Sequence, residues 1–200
     1  MLVLASDISM GGIRTNFVHE VEIESGWEKA TDTAKITLPA SVKLDKDDLR
    51  TLLAPGMPAK ISLGYAEPEI VYRGYITGIS TGVPITVSCE DEMWKLKQTT
   101  VTDNLIDSTV DDLMPQHFSG YATKTMNAKL GAQFVMDNLN LAKVLHKLKE
   151  EFGLYGFFRG DVLHVGKVYD AESAGRVKFR FEQNIINDDL EYKRKEDVRL

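Results

Sequence analysis

The chain has few of the residues from which covalent frameworks and active sites are built: one cysteine, two tryptophans and four histidines among 200 residues. A single cysteine cannot form an internal disulfide, so nothing indicates an oxidising compartment and cytoplasmic synthesis is expected. Cations are also in the minority, with 24 Lys and Arg against 30 Asp and Glu, a formal net charge of -6. This balance argues against nucleic acid as a partner, because binding to phosphates needs clustered cations.

Long apolar runs are missing as well. The N-terminal segment 1–7 has neither a basic start nor a full apolar stretch, and no run approaches the length of a membrane span. The apolar fraction of 43% is ordinary for a globule that buries a core. We therefore expect a protein that is soluble when made, does not bind membranes and folds as one large domain or two small ones.

Alternating apolar and polar residues in the first half predict short antiparallel strands. Residues 16–25 place Phe17, His19, Val21 and Ile23 on one face, and residues 33–38 repeat the pattern, which predicts a hairpin with a wide loop. Further strands are predicted at 59–65, 69–79 and 85–89, with a short helix or irregular crossover at 45–53. Five or six short strands in about ninety residues favour a closed barrel or a sandwich.

The second half has a different pattern. Residues 98–126 carry apolar residues at helical spacing and predict a helical connector with Ser108 as N-cap. Residues 127–169 predict a β-α-β-β unit: a strand at 133–136, a helix capped by Asn140 and ended by Gly153, and a hairpin at 154–165. Residues 170–200 are expected to contribute strands that either rejoin the first barrel or start a second. The predicted fold is α+β, with an antiparallel β-barrel in residues 1–97.

No catalytic constellation is recognisable. A cysteine nucleophile needs a base within hydrogen-bond reach, but Cys89 lies in an apolar alternation typical of a buried thiol and the histidines follow no pattern. We therefore predict a structural thiol, no enzymatic activity and no cofactor.

Two acidic groups also favour a structural interpretation. Asp103, Asp107, Asp111 and Asp112 lack the glycine and terminal glutamate of a calcium loop, so a solvated helix face is predicted and no metal. The run 90–92 precedes Lys95 and Lys97, an order that complements the dipole of one short helix.

Aromatic residues are concentrated in the predicted strands, where they can fill a core or anchor an interface. The candidate contact residues are Trp27, Tyr65, Tyr72, Tyr75 and Trp94.

Several segments together resemble a known family. They are 27–39, Gly56-Met57 before the strand ending at Tyr65, the strand 72–76, the segment 89–97, and 152–155 before the hairpin ending at Gly166. In this order, across most of residues 20–198, the chain is similar to the phage late control gene D proteins, the baseplate hub proteins of contractile tails, and to the hub portion of type VI secretion spike proteins.

The resemblance implies a structural role. In such hubs two related barrel domains of each subunit alternate around a trimer, and the resulting ring joins the tail tube to the central spike without catalytic residues. The implied partners are copies of the chain, the tube and the spike, and the implied location is the assembled tail or injection apparatus. Leu200 falls about where the second barrel begins, so the trimer is expected to depend on that further barrel.

Two other classes of function stay open at the level of the sequence. A glycan- or cell-wall-binding module would line one groove with exposed aromatic residues. A wall hydrolase would bring two carboxylates together in one cleft, and no spacing in the chain indicates such a pair.

Overall fold

The first half of the chain forms one antiparallel sheet. The computed structural model describes residues 4–42, 51–65, 67–80 and 82–167, all within one compact unit, Met1–Val168. The sheet contains β1 (Leu4–Met10), β2 (Ile13–Thr15), β3 (Glu20–Glu24), β4 (Thr33–Thr37), β5 (Pro58–Tyr65), β6 (Glu69–Ser80) and β7 (Thr86–Glu90). Their spatial order is β2-β1-β5-β6-β7-β4-β3.

The period-two alternation explains why these segments are strands. Along residues 33–36 of β4 and 58–61 of β5, buried aliphatic side chains alternate with more exposed ones. Ile8, Ile36, Ile61, Ile76 and Val87 are each fully buried and form the centre of the core under this sheet. The predicted strands at 33–38, 59–65, 69–79 and 85–89 are therefore confirmed.

The predicted closed barrel is wrong, because the sheet is open. Among the described residues β2 and β3 form its two ends and do not pair with each other. The hairpin of β3 with β4 is present, but Phe17 is 71% exposed and His19 is also exposed. Of the four residues predicted to face inward, only Val21 and Ile23 are half-buried. Phe17 and His19 precede the strand, which begins at Glu20.

The described part of the second half, residues 93–167, contains three helices and five strands, and these strands form two small sheets. The helices are α1 (Met93–Gln98), α2 (Val110–His117) and α3 (Leu141–Phe152), and the strands are β8 (Thr100–Ile106), β9 (Ala122–Thr125), β10 (Gln133–Asn140), β11 (Tyr155–Arg159) and β12 (Val162–Gly166). Strands β8 and β10 form an antiparallel pair, while β12 lies between β11 and β9 and is parallel to β9. The architecture is α+β with mostly antiparallel strands.

Helix α3 follows from its sequence as predicted. The Asn140 side chain accepts a hydrogen bond from the Lys143 amide at 2.8 Å, and Gly153 ends the helix with φ 66°. Its apolar face packs into a second core, with Val144 and Leu148 fully buried. The β-α-β-β order is confirmed, although its first strand pairs with β8 rather than with the hairpin.

The segment predicted as a helical connector is only partly helical. It holds α2 but also β8 and β9, and the N-cap of α2 is Thr109 rather than Ser108. Thr109 and Asp112 form a reciprocal capping box. The division of the chain at residues 97, 126 and 169 stays a prediction, and the predictions for 170–200 and most of 45–53 lie outside the described residues.

None of the helices in the described ranges is both long and apolar enough to cross a bilayer.

Candidate functional site

Two of the five candidate contact residues lie at the surface near the ends of strands. Tyr65, the last residue of β5, is 62% exposed. Trp27 lies in the loop between β3 and β4, is 37% exposed, and meets Tyr155 edge-to-face with ring centroids 5.4 Å apart. The Lys149 amine lies 4.9 Å from the centre of the Tyr155 ring, so this loop is held against the end of α3 and the start of β11.

Tyr75 and Trp94 form a half-buried stacked pair that joins the large sheet to α1. Their ring centroids are 5.7 Å apart, and the Tyr75 hydroxyl donates to the Glu92 carboxylate at 2.5 Å. The Lys95 amine lies 4.4 Å from the Tyr75 ring centroid. Gly56, at φ 88°, lies under Trp94, where an added Cβ would be 3.0 Å from the indole. The pair stabilises the fold as well as presenting aromatic edges to solvent.

Tyr72 lies in the core instead. It is 4% exposed, because the alternation along β6 places it on the same inward face as Gly74 and Ile76. Its hydroxyl has no hydrogen-bond partner among the described residues. Burial, followed by the negative charges around it, raises the pKa of Tyr72. We therefore withdraw Tyr72 from the surface contact residues.

The sheet edges and several exposed aliphatic side chains are further surface features. Edge strand β3 turns Glu20, Glu22 and Glu24 to solvent, and the Lys35 amine lies 3.6 Å from Glu22. Charged side chains on an edge oppose unspecific strand pairing. Sequence reasoning on aromatic residues missed a group of exposed apolar side chains, which lie partly on strands and partly in loops: Ile70, Val71, Val83, Ile106, Met126 and Val135.

The thiol and two of the histidines have structural surroundings. Cys89 is 2% exposed, and burial raises the pKa of its thiol to about 12, as expected of a structural cysteine. His117 is hydrogen-bonded to Asp103 at 2.8 Å. His164 stacks on Phe157 with ring centroids 5.4 Å apart, and burial lowers its pKa.

Three of the four aspartates that the sequence singled out have side-chain partners among the described residues, and Asp103 is one of them through His117. Asp111 accepts a hydrogen bond from Thr125 at 2.7 Å, and Asp112 belongs to the capping box. Within the described ranges no three His, Cys, Asp or Glu side chains are grouped as a metal site would require. These carboxylates stabilise local structure.

The interpretation of the run 90–92 as dipole acids is only half right. Lys95 and Lys97 do lie in the last turn of α1, but no acid lies in its first turn. Glu90 instead pairs with Lys97 at 2.6 Å. Asp91 is 6% exposed and accepts a hydrogen bond from the Met93 amide at 3.0 Å, and burial raises the pKa of its carboxyl to about 7.

Solved structures with the same fold come from phage tails. A tail protein from Neisseria meningitidis MC58 matches 86% of this chain with a TM-score of 0.64 and 17% sequence identity. A 43 kDa tail protein of prophage MuSo2 from Shewanella oneidensis matches 84% with a TM-score of 0.61 and 12% identity. The prophage tail protein gp18 from Listeria monocytogenes EGD-e matches 89% with a TM-score of 0.51 and 10% identity.

The matched regions are only parts of those proteins. They cover 52% of the Neisseria chain and 56% of each of the other two, so this chain spans about half the length of the tail proteins that it resembles. No protein-family model matches the sequence. No curated protein matches it either. At these identities the shared property is the fold: the described residues have the architecture found in phage tail proteins.

Proposed function

We propose that the chain is a structural assembly protein of a phage or prophage tail, or of a related contractile injection apparatus. Its place in this proposal is the hub or baseplate, between the tail tube and the spike. The observation that carries the proposal is the likeness of fold to two tail proteins, with TM-scores of 0.64 and 0.61. The hub position and the non-enzymatic role rest on the resemblance of the sequence to late control gene D proteins.

The mechanism is geometric. A sheet with two open ends and exposed aromatic residues presents the same surfaces in every copy, and rotational symmetry turns one such contact into a ring. We propose a homotrimer that binds the tube on one side and the spike on the other. Its contact residues are Trp27, Tyr65, Tyr75 and Trp94.

Among these residues Tyr65 is the best one to substitute, because its loss should affect assembly without affecting the stability of the subunit. Because it is 62% exposed, its side chain contributes little to the packing of the isolated subunit. Tyr75 and Trp94 stack on each other, so changing either weakens the subunit itself. A buried tyrosine at the centre of an interface typically contributes about 2 kcal/mol or more to binding.

The test is co-expression of the chain with tail tube and spike proteins from the same genome, followed by light scattering and cryo-electron microscopy of the purified complex. We expect co-purification of the unaltered chain and loss of the complex with Tyr65→Ala, while thermal unfolding of the subunit stays unchanged. Ile106→Ala, which truncates a similarly exposed apolar residue (67%) on β8, is the matched control and should leave the complex intact. If the unaltered chain associates with neither protein nor with itself, the proposed function is wrong.

A further inference from the structure

A pocket of about 370 Å³ lies between β6 and the turn of the β11–β12 hairpin. Tyr72 and Arg73 line it on the side of β6, and Asp161 lines it on the side of the hairpin. Asp32 and Asp91 also contribute to its wall. None of the contact residues that remain in the proposed function lines it. Its lining contains more acidic than basic side chains.

Two of these polar groups are deeply buried. Asp91 is 6% exposed and Tyr72 is 4% exposed. The Tyr72 hydroxyl has no partner among the described residues, although buried hydroxyls in proteins are nearly always hydrogen-bonded. The Asp91 carboxylate accepts a hydrogen bond from the Met93 amide, so it is the Tyr72 hydroxyl that indicates a missing hydrogen-bonding group.

The charges around the pocket are mainly negative. Three aspartates line it against one arginine, Arg73, whose guanidinium lies 3.6 Å from Asp161 at the exposed rim. The Asp32 carboxylate accepts hydrogen bonds from the Ser25 hydroxyl and the Gly26 amide. No cation among the described residues forms an ion pair with Asp32 or Asp91, so the inner wall attracts a positive group.

The entrance suits a long aliphatic stem. Ile70 and Val71 line the pocket and are 47% and 48% exposed, and the buried Phe158 ring lies on the hairpin side. Lysine and arginine combine an apolar stem with a cationic head, so apolar groups at a rim and carboxylates within fit both parts of such a side chain.

We propose that this pocket receives one lysine or arginine side chain of a protein partner, with its cationic head against Asp91 and the Tyr72 hydroxyl. That the partner is a tail component rests on the proposed function. The binding of a basic side chain does not depend on the proposed function, because it is inferred from the carboxylates, the hydroxyl and the apolar rim of the pocket.

Occupancy is expected to depend on pH. A cation stabilises the charged form of Asp91, which burial disfavours in the empty pocket, so affinity should rise as pH increases through about 7. Asn at position 91 has no such charge, so the dependence should vanish in that variant. The titratable and charged groups near Asp91 are Asp32 from the β3–β4 loop, Tyr72 and Arg73 from β6, Cys89 and Glu90 from β7, Lys97 from α1, and Asp161 from the hairpin.

The test titrates the isolated chain with n-butylguanidinium and n-butylammonium and follows the backbone amide signals of Arg73 and Asp91 by NMR. Neutral n-butanol is the matched ligand control. We expect saturable shifts with both cations and at least tenfold weaker binding of the alcohol, since charge-assisted hydrogen bonds are roughly twice as strong as neutral ones and the alcohol lacks the ionic attraction.

Two variants test the wall. Asp91→Asn should weaken cation binding about tenfold or more, and Tyr72→Phe should weaken it about tenfold, as expected for one hydrogen bond with a charged donor. Asp137→Asn removes an exposed carboxylate on β10 and should leave the affinity unchanged. If Asp91→Asn does not fold, Tyr72→Phe still decides, because it deletes only a hydroxyl without a partner.

Equal binding of cations and alcohol overturns the inference, as does wild-type affinity in Tyr72→Phe. This assay uses no tail component, so its failure leaves the proposed function standing. Failure of co-purification in turn leaves the pocket inference standing.

Discussion

Replacing the buried Asp91 with Asn should remove a large part of the pH dependence of stability between about pH 4 and pH 7. Burial raises the pKa of this carboxyl from 3.8 to about 7, while hydrogen bonds from the backbones of Asp32 and Met93 act in the opposite direction. In the unfolded chain the same group should titrate near its ordinary value. Between the two values the folded protein therefore holds one more proton than the unfolded chain does.

This extra proton determines whether the stability rises or falls with pH. Where the folded state binds more protons, the free energy of unfolding falls as pH rises. The difference of 7 minus 3.8 is 3.2 pH units, and at 1.36 kcal/mol per unit this corresponds to roughly 4 kcal/mol. The contribution is fully present below about pH 4 and lost above about pH 7. Exposed acids whose pKa values are lowered by partners, such as Asp7 beside Arg14, act in the opposite direction.

Urea unfolding of both proteins at about pH 4.5, 5.5, 6.5 and 7.5 measures the effect. The variant should gain stability relative to the unaltered protein by about 1.4 kcal/mol per pH unit up to about pH 6.5, and the difference should level off above about pH 7. Because the free energies of unfolding of the two proteins are subtracted at each pH, the contributions of all other titrating groups cancel. Asp137→Asn, an exposed substitution of the same type, should show a flat difference. A flat difference for Asp91→Asn as well would refute the assignment of a raised pKa to a buried carboxyl at this position.

Three further substitutions test the packing around β6 and α2. Tyr72→Phe should raise the free energy of unfolding by about 1 kcal/mol in urea unfolding, because it removes a buried hydroxyl that has no partner; a loss above about 1 kcal/mol would reveal a missed hydrogen bond. Gly74→Ala should prevent folding, measured by circular dichroism, because the new Cβ would lie 2.2 Å from the Glu90 carbonyl oxygen; a native spectrum would contradict this. Thr109→Ala should cost about 1 kcal/mol in a thermal melt, since the capping box with Asp112 is lost; an unchanged melting temperature would show that tertiary packing alone holds α2.

The sequence predicts elements with strong periodic signals and fails where burial depends on distant parts of the chain. Helix α3 is recognisable from its apolar spacing, Asn140 and Gly153, which all act locally. Strand β8 was missed, because among its residues only Leu105 is buried and the rest are mostly polar. The closed barrel was wrong because strand patterns specify faces, but not which strands end the sheet.

The candidate surface was predicted by residue type, and type alone does not determine exposure. Tyr65 and Tyr72 are both aromatic residues of neighbouring strands, yet the first is 62% exposed and the second 4%. The two-residue period along β6 places Tyr72 on the same face as Ile76, so the alternation predicts its burial where the residue type alone does not. The burial of Asp91 had no such signal, because it depends on a loop and a hairpin remote in sequence.

The parallel pairing of β12 with β9 has a consequence for folding during synthesis. Val162 pairs with Ala122, 40 positions earlier (162 minus 122), and β10, α3 and β11 lie between them in the chain. When β9 leaves the ribosome, its only described partner strand has not yet been translated, and such non-local pairing is slow to form. Leu163 and Val165, both buried in the second core, arrive with that strand. A ribosome pausing before codon 162 would hold the nascent chain with this core incomplete and its apolar residues open to chaperones.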